Sequence, residues 1–157
     1  MKIALLTRNP KLYSHQRLIE VAQARGHEIV PIDYLRCYMN ITSRKPELHY
    51  KGQTLEGFDA VVHLAGDNVA SENWSEDKKC RIRESRTVGT RVLVDALKSL
   101  QNPPKTFVSA SAIGFYGNRG DEILTEDSPK GVGFFPDVCE AWENEARKAE
   151  AFARVVM

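Results

Sequence analysis

The chain has 157 residues, 42% of them hydrophobic and 27% charged, with a net charge of +1 at neutral pH. That is enough chain for one packed core, and so small a net charge excludes a global electrostatic case for nucleic acid or an anionic membrane. No apolar run approaches the length of a membrane span, and Cys37, Cys80 and Cys139 lie too far apart for a disulfide framework or a CxxC metal site, which points to inert thiols and a cytoplasmic location.

Taken in chain order, Lys2–Thr7 (KIALLT) is a short apolar run that predicts a buried parallel strand, with no leader sequence before it. Lys11–Arg25 carries Leu12, Leu18, Ile19 and Ala22 near helical spacing, and Gly26 suits the left-handed position that ends a helix. Glu28–Ile32 completes a βαβ unit with a right-handed crossover. Asp33–Gly57 is polar, and Lys51-Gly52 between Leu48–Tyr50 and Gln53–Leu55 predicts a loop and a small hairpin. AVVHLAG is the next buried strand, and Trp74–Leu100 reads as a helix in one or two pieces. Its apolar stripe is Val88, Val92, Ala96 and Leu100 with Leu93 and Leu97. Pro103-Pro104 stops it, TFVSAS is a strand, and Ile113–Pro136 is a long loop. Val138–Ala153 reads as a helix with Trp142, Ala146, Ala149 and Ala153 on one face, and RVVM begins a last strand.

These elements predict a single α/β domain: three layers, a mainly parallel Rossmann-like sheet of main-strand order 2-1-3-4-5, and a small β-hairpin insertion beside an edge. The first strand-to-helix turn, TRNPKLYSHQRL, contains no glycine. A dinucleotide-binding turn needs glycines so that backbone can approach a pyrophosphate. Arg8, Lys11, His15 and Arg17 make the turn basic, either as a solvated loop or as a weak anion contact. His63 reads as a buried, hydrogen-bonded histidine, Arg86 as a phosphate contact or a surface residue in equal measure, and Trp74 and Trp142 as packing residues. Asp121-Glu122 and Glu126-Asp127 have no histidines at ligand spacing, so no metal is expected.

Two resemblances add to this reading. KIALLTRNPKLYSHQRL, RGHEI, DYLRCYMNI, ELHYKG and FDAV resemble the N-terminal domain of RimK-type ATP-grasp ligases, which add glutamate to a ribosomal protein. The resemblance covers residues 1–57 and implies a domain that precedes the ATP-grasp machinery and is not the main ATP site. FDAVVHLAGDNVA, NWSEDKKCRIRESR, VSASAIGFYG and VCEAWENEA resemble an atypical extended short-chain dehydrogenase/reductase of the nucleotide-sugar epimerase type, over residues 58–157. That resemblance implies NADP, a cofactor-lining Gly66, an active-site-facing Arg86, and Ser109 and Ser111 near a nicotinamide, with Ser111 the better candidate for polarising a reacting oxygen. The tyrosine–lysine pair of such enzymes is missing: neither Val138/Trp142 nor Cys139/Glu143 in DVCEAWENEA supplies it.

Because the resemblance switches near Phe58–Val62, the sequence reads as an engineered or recombined chimera of two fragments with no catalytic activity, Ser111 being vestigial. No cofactor or specific partner is expected, and dimerisation through an edge strand at RVVM is favoured. The alternatives are an NADP-dependent epimerase or reductase with weakened cofactor binding, and a binding module for a ribosomal or ligase partner.

Overall fold

A computed structural model describes residues 1–40 and 47–157. Five strands, β1 (Lys2–Leu6), β2 (Glu28–Ile32), β6 (Ala60–His63), β7 (Thr106–Ser109) and β8 (Arg154–Val156), form a wholly parallel sheet in the order β2-β1-β6-β7-β8. This is the expected 2-1-3-4-5 order, and the α/β, three-layer, Rossmann-like class stands. Side chains alternate across β1, as the twofold period of a strand requires. Ala4 and Leu6 join Ile32, Val61, Val94, Phe107, Ala146 and Ala149 on one face, while Leu5 joins Ala22 and Ile29 on the other. Helix α1 (Tyr13–Ala24) covers the second face; α2 (Glu76–Lys98) and α3 (Phe134–Arg147) cover the first. Gly26, at φ +75°, ends α1 as expected.

The small sheet departs from a two-stranded hairpin. β3 (Cys37–Asn40) pairs antiparallel with β4 (Glu47–Tyr50), which pairs with β5 (Gln53–Thr54). Lys51 and Gly52 both have positive φ, 50° and 77°, as a tight two-residue hairpin turn demands. Part of the predicted loop, residues 41–46, lies outside the described residues. Cys37, Tyr50 and Leu55 pack on the larger core cluster, so this sheet stands where a crossover helix between β2 and β6 would otherwise be.

Helix α2 is continuous, and only part of the predicted stripe is the packed one: Leu93 and Leu97 pack on the larger core cluster. Val88 and Val92 are 44% and 62% exposed and Leu100 is exposed too, whereas Lys78, Ile82, Thr90 and Val94 are buried. The buried residues, with half-buried Arg86 between them, follow a spacing of four that includes two cations, Lys78 and Arg86, and is therefore not an apolar stripe. Helix α3 starts at Phe134 instead of Val138 and ends at Arg147, followed by a 3-10 turn over Lys148–Ala151. Trp142 and Ala146 on the helix and Ala149 in the turn are buried, as expected.

The connection before α3 is closed at its stem. Gly131 N–H donates to Phe115 O (3.0 Å), and a Cβ on Gly131 would overlap the Tyr116 carbonyl. Gly131→Ala is therefore expected to cost about 1–3 kcal/mol by overpacking against backbone. Urea denaturation gives the cost, and proteolysis should cut first within residues 117–131; equal stability and an uncut loop would refute the closure.

Candidate functional site

The connections from β1 and β6 leave toward opposite faces of the sheet. The carboxyl ends of these neighbouring strands therefore form the crevice where open α/β sheets place ligands. Leu6 stands in register with both Ile32 and His63, so Thr7-Arg8, Asp33-Tyr34 and Leu64–Asp67 leave the sheet side by side. The first turn is bonded to itself. His15 Nδ1 lies 3.0 Å from Thr7 Oγ1 and 2.9 Å from Asn9 O, and Asn9 N–H donates to Thr7 Oγ1 (3.1 Å). Arg8 and Lys11 point to solvent. Beside them Tyr34 is half-buried; burial raises its phenol, Arg8 and Arg86 pull it down, and Asp33 and Asp67 push it up.

At the end of β6, His63 is 3% exposed, with Nε2 2.9 Å from Thr90 Oγ1 and Nδ1 without a partner. Burial pushes its pKa down to about 4. It is the buried, bonded histidine that the sequence predicts. Arg86 and Gly66 are brought together, but with each other: a Cβ on Gly66 would stand 3.3 Å from the guanidinium carbon. That guanidinium donates to Asp67 O (3.3 Å) and Ile82 O (3.1 Å) and lies over the Trp142 ring at 5.3 Å. Lys78, passed over at the sequence level, is buried and donates to Asp67 Oδ2 (2.7 Å), Asn68 O (2.6 Å) and Ser71 Oγ (2.8 Å). It pins residues 67–71 to α2.

At the end of β7 the two candidate serines part. Ser109 is buried and its hydroxyl donates to Ala110 O (3.2 Å). Ser111 is half-buried and donates to Glu143 Oε1 of α3 at 2.5 Å. Cys139, one turn earlier on α3, donates to Ala112 O; burial first and Glu143 second raise its thiol, and Arg86 lowers it. An open cleft of about 560 Å³ lies beyond, lined by Trp74, Gly117 and Phe134–Pro136. Trp74 packs edge-on against Phe135 there at 4.6 Å.

The dinucleotide that the second resemblance implies does not fit this arrangement. The first turn has no glycine, and the space beside Gly66 that its missing side chain leaves is filled by the Arg86 guanidinium. Among the described residues no cluster of three or more His, Cys, Asp or Glu is placed to hold a metal, and no helix is long and apolar enough to cross a membrane.

The sequence profile of the RimK PreATP-grasp domain matches this chain. Residues 1–72 carry it. A probable alpha-L-glutamate ligase of Pseudoalteromonas translucida (strain TAC 125) is 41% identical over 147 residues, covering 91% of this chain and 48% of the relative. The corresponding protein of Pseudomonas paraeruginosa is 62% identical over 125 residues, covering 77% and 42%. The chain thus spans about half the length of the curated relatives it matches. Among solved structures it is similar to the human epimerase family protein SDR39U1 (isoform 2) with NADPH, at 26% identity and TM-score 0.72, over 94% of this chain and 49% of that one. It is also similar to a nucleoside-diphosphate sugar epimerase from Corynebacterium glutamicum, at 29% identity and TM-score 0.70, over 99% and 33%. Both resemblances therefore stand, to RimK-type ligases in sequence and to epimerases in fold and sequence.

The ligase relatives overturn the expectation of an engineered or recombined chimera, and with it that of an inactive assembly of enzyme fragments. Their matches run across Phe58–Val62, where a join was expected, and they are named as enzymes of a natural family. The physical reason is in the sheet. β6 lies beside β1 in unbroken register from Ile3↔Ala60 to Leu6↔His63, and Lys2 N–H donates to Asp59 Oδ2 at 2.8 Å. A buried parallel strand reads alike in many α/β families, so a change of resemblance inside one does not mark a junction.

Proposed function

We propose that this chain serves as the pre-ATP-grasp portion of an α-L-glutamate ligase-type enzyme. The observation that carries this reading is the 41% identity running through 91% of the chain. The self-bonded turn of Thr7, Asn9 and His15 supports it, because that turn suits a rigid positioning domain better than a primary phosphate site. The three free thiols support a reducing compartment, and the cytoplasm is the proposed location. The test mixes this chain with the ATP-grasp portion of the Pseudomonas paraeruginosa relative, expressed without its matched N-terminal region. Glutamate-dependent ADP release should rise above that of the ATP-grasp portion alone; no rise counts against the reading.

A second reading, reduced-dinucleotide binding by an epimerase-like protein through Gly66, Arg86, Ser109 and Ser111, is favoured by the 26% identity to a protein solved with NADPH. The Arg86 cover on Gly66 opposes it. Titration with NADPH and with NADH, followed by nucleotide fluorescence, should give no saturable binding. Saturation in the micromolar range would move the assignment to this second reading.

A further inference from the structure

We propose that Ser111 and Glu143 together form a binding site for a primary ammonium group. The inference starts from where one proton goes. Ser111 donates its only hydroxyl hydrogen to Glu143 Oε1 at 2.5 Å, within the short range of hydroxyl–carboxylate bonds. A serine so committed has no hydrogen left for a carbonyl oxygen. What it offers a ligand is lone pairs, the reverse of the polarising role that sequence resemblance implies.

Glu143 adds acceptor capacity and charge. Among the described residues its only hydrogen bond is the one from Ser111, so Oε2 has no partner there, and no cation pairs with it. Its neighbours on α3 differ: Glu140 is paired with Lys130, and Glu145 with Arg91 and Lys148. Both Ser111 and Glu143 are half-buried, so they are reachable but partly shielded from water, where a charge contact gains strength. They sit at the carboxyl end of β7, on the side of the sheet where α/β domains bind ligands. Two oxygen acceptors with one uncompensated negative charge fit a donor that carries several hydrogens and a positive charge, which is a primary ammonium. The site stands on this geometry and not on the ligase reading, so its failure would leave that reading untouched.

The experiment is a ¹H–¹⁵N chemical-shift titration of the wild-type chain with n-butylammonium and with L-glutamate. The controls are n-butanol and glutarate, which keep the carbon chains and lack the ammonium. Saturable shifts are expected at the amides of residues 110–113 and 139–144 with at least one amine and with neither control. Binding by L-glutamate alone would identify an amino acid as the source of the ammonium, and binding by both amines a general amine site; either supports the proposal. Glu143→Gln removes the charge and should weaken binding about tenfold, and Ser111→Ala should weaken it less. Equal shifts with the alcohol or the dicarboxylate, no saturable shift with either amine, or unchanged affinity in Glu143→Gln would overturn it. The amine-against-control comparison uses unaltered protein, so the test holds even if a variant fails to fold.

Discussion

Replacing Lys78 with alanine should lower the stability of the chain by about 3 kcal/mol, near the lower end of what breaking a buried ion pair costs. The lysine is 1% exposed, so all three hydrogens of its ammonium must be satisfied inside the protein, and they are, by Asp67, Asn68 O and Ser71. Truncation leaves those acceptors facing an apolar gap. The effect sits at the low end because the Asp67 side chain is 28% exposed and can regain water. Lys78→Met keeps the stem and loses the charge, and it should recover part of the loss, since methionine packs where alanine leaves a hole. The same pair has an acid signature. The Lys78 hydrogen bond is the largest influence on Asp67 and holds its carboxyl below the usual aspartate value. A carboxyl lowered in the folded state contributes stability that is present above the unfolded value, about 4, and lost as pH falls through the folded one. Lys78→Met should therefore show a smaller loss on the acid side than wild type. Urea denaturation at neutral and acidic pH measures both effects; an alanine variant as stable as wild type would remove Lys78 from the account of the loop after β6.

The frame of this protein was legible because its signals are local. A strand buried on both faces needs no alternation of apolar and polar residues: the apolar runs KIALL, AVVH and TFVS mark β1, β6 and β7 directly, and Gly26 and Lys51-Gly52 punctuate the chain where positive φ is required. The face of α2 was legible only at Leu93 and Leu97, because half of what the helix fully buries is polar. Thr90 is chosen by His63 across the interface and Lys78 by the loop after β6, and neither partner is near in sequence. The site divides in the same way. Ser111 is marked by its place at a strand end, but its role depends on Glu143, 32 residues away on α3. Gly66 and Arg86 were both marked, and only the packing shows that the Arg86 guanidinium fills the space beside Gly66.

His63 gives the second large effect, and its sign follows from burial. The imidazole is buried, stacked on Phe107 at 6.1 Å, and its pKa falls from 6.5 to about 4. Between those two values the unfolded chain binds a proton at this residue and the folded chain does not, so stability decreases as pH is lowered through that window and the loss levels off below it. At about 1.4 kcal/mol per tenfold difference in proton affinity, the full loss is about 3 kcal/mol. The unpartnered Nδ1 is why the charged form gains nothing in place: no acceptor waits for the added proton. Carboxylates titrate in the lower part of the same window, so the measurement is a difference. His63→Asn keeps a polar group facing Thr90 while removing the titration. Its stability at neutral pH should be lower than wild type, because asparagine fills less of the space against Phe107, but its decline between about 6.5 and 4 should be shallower. Parallel wild-type and variant curves across that window would mean that His63 takes up its proton in the folded state, and that the end of β6 is open to water as the packing around Thr90 and Phe107 does not allow.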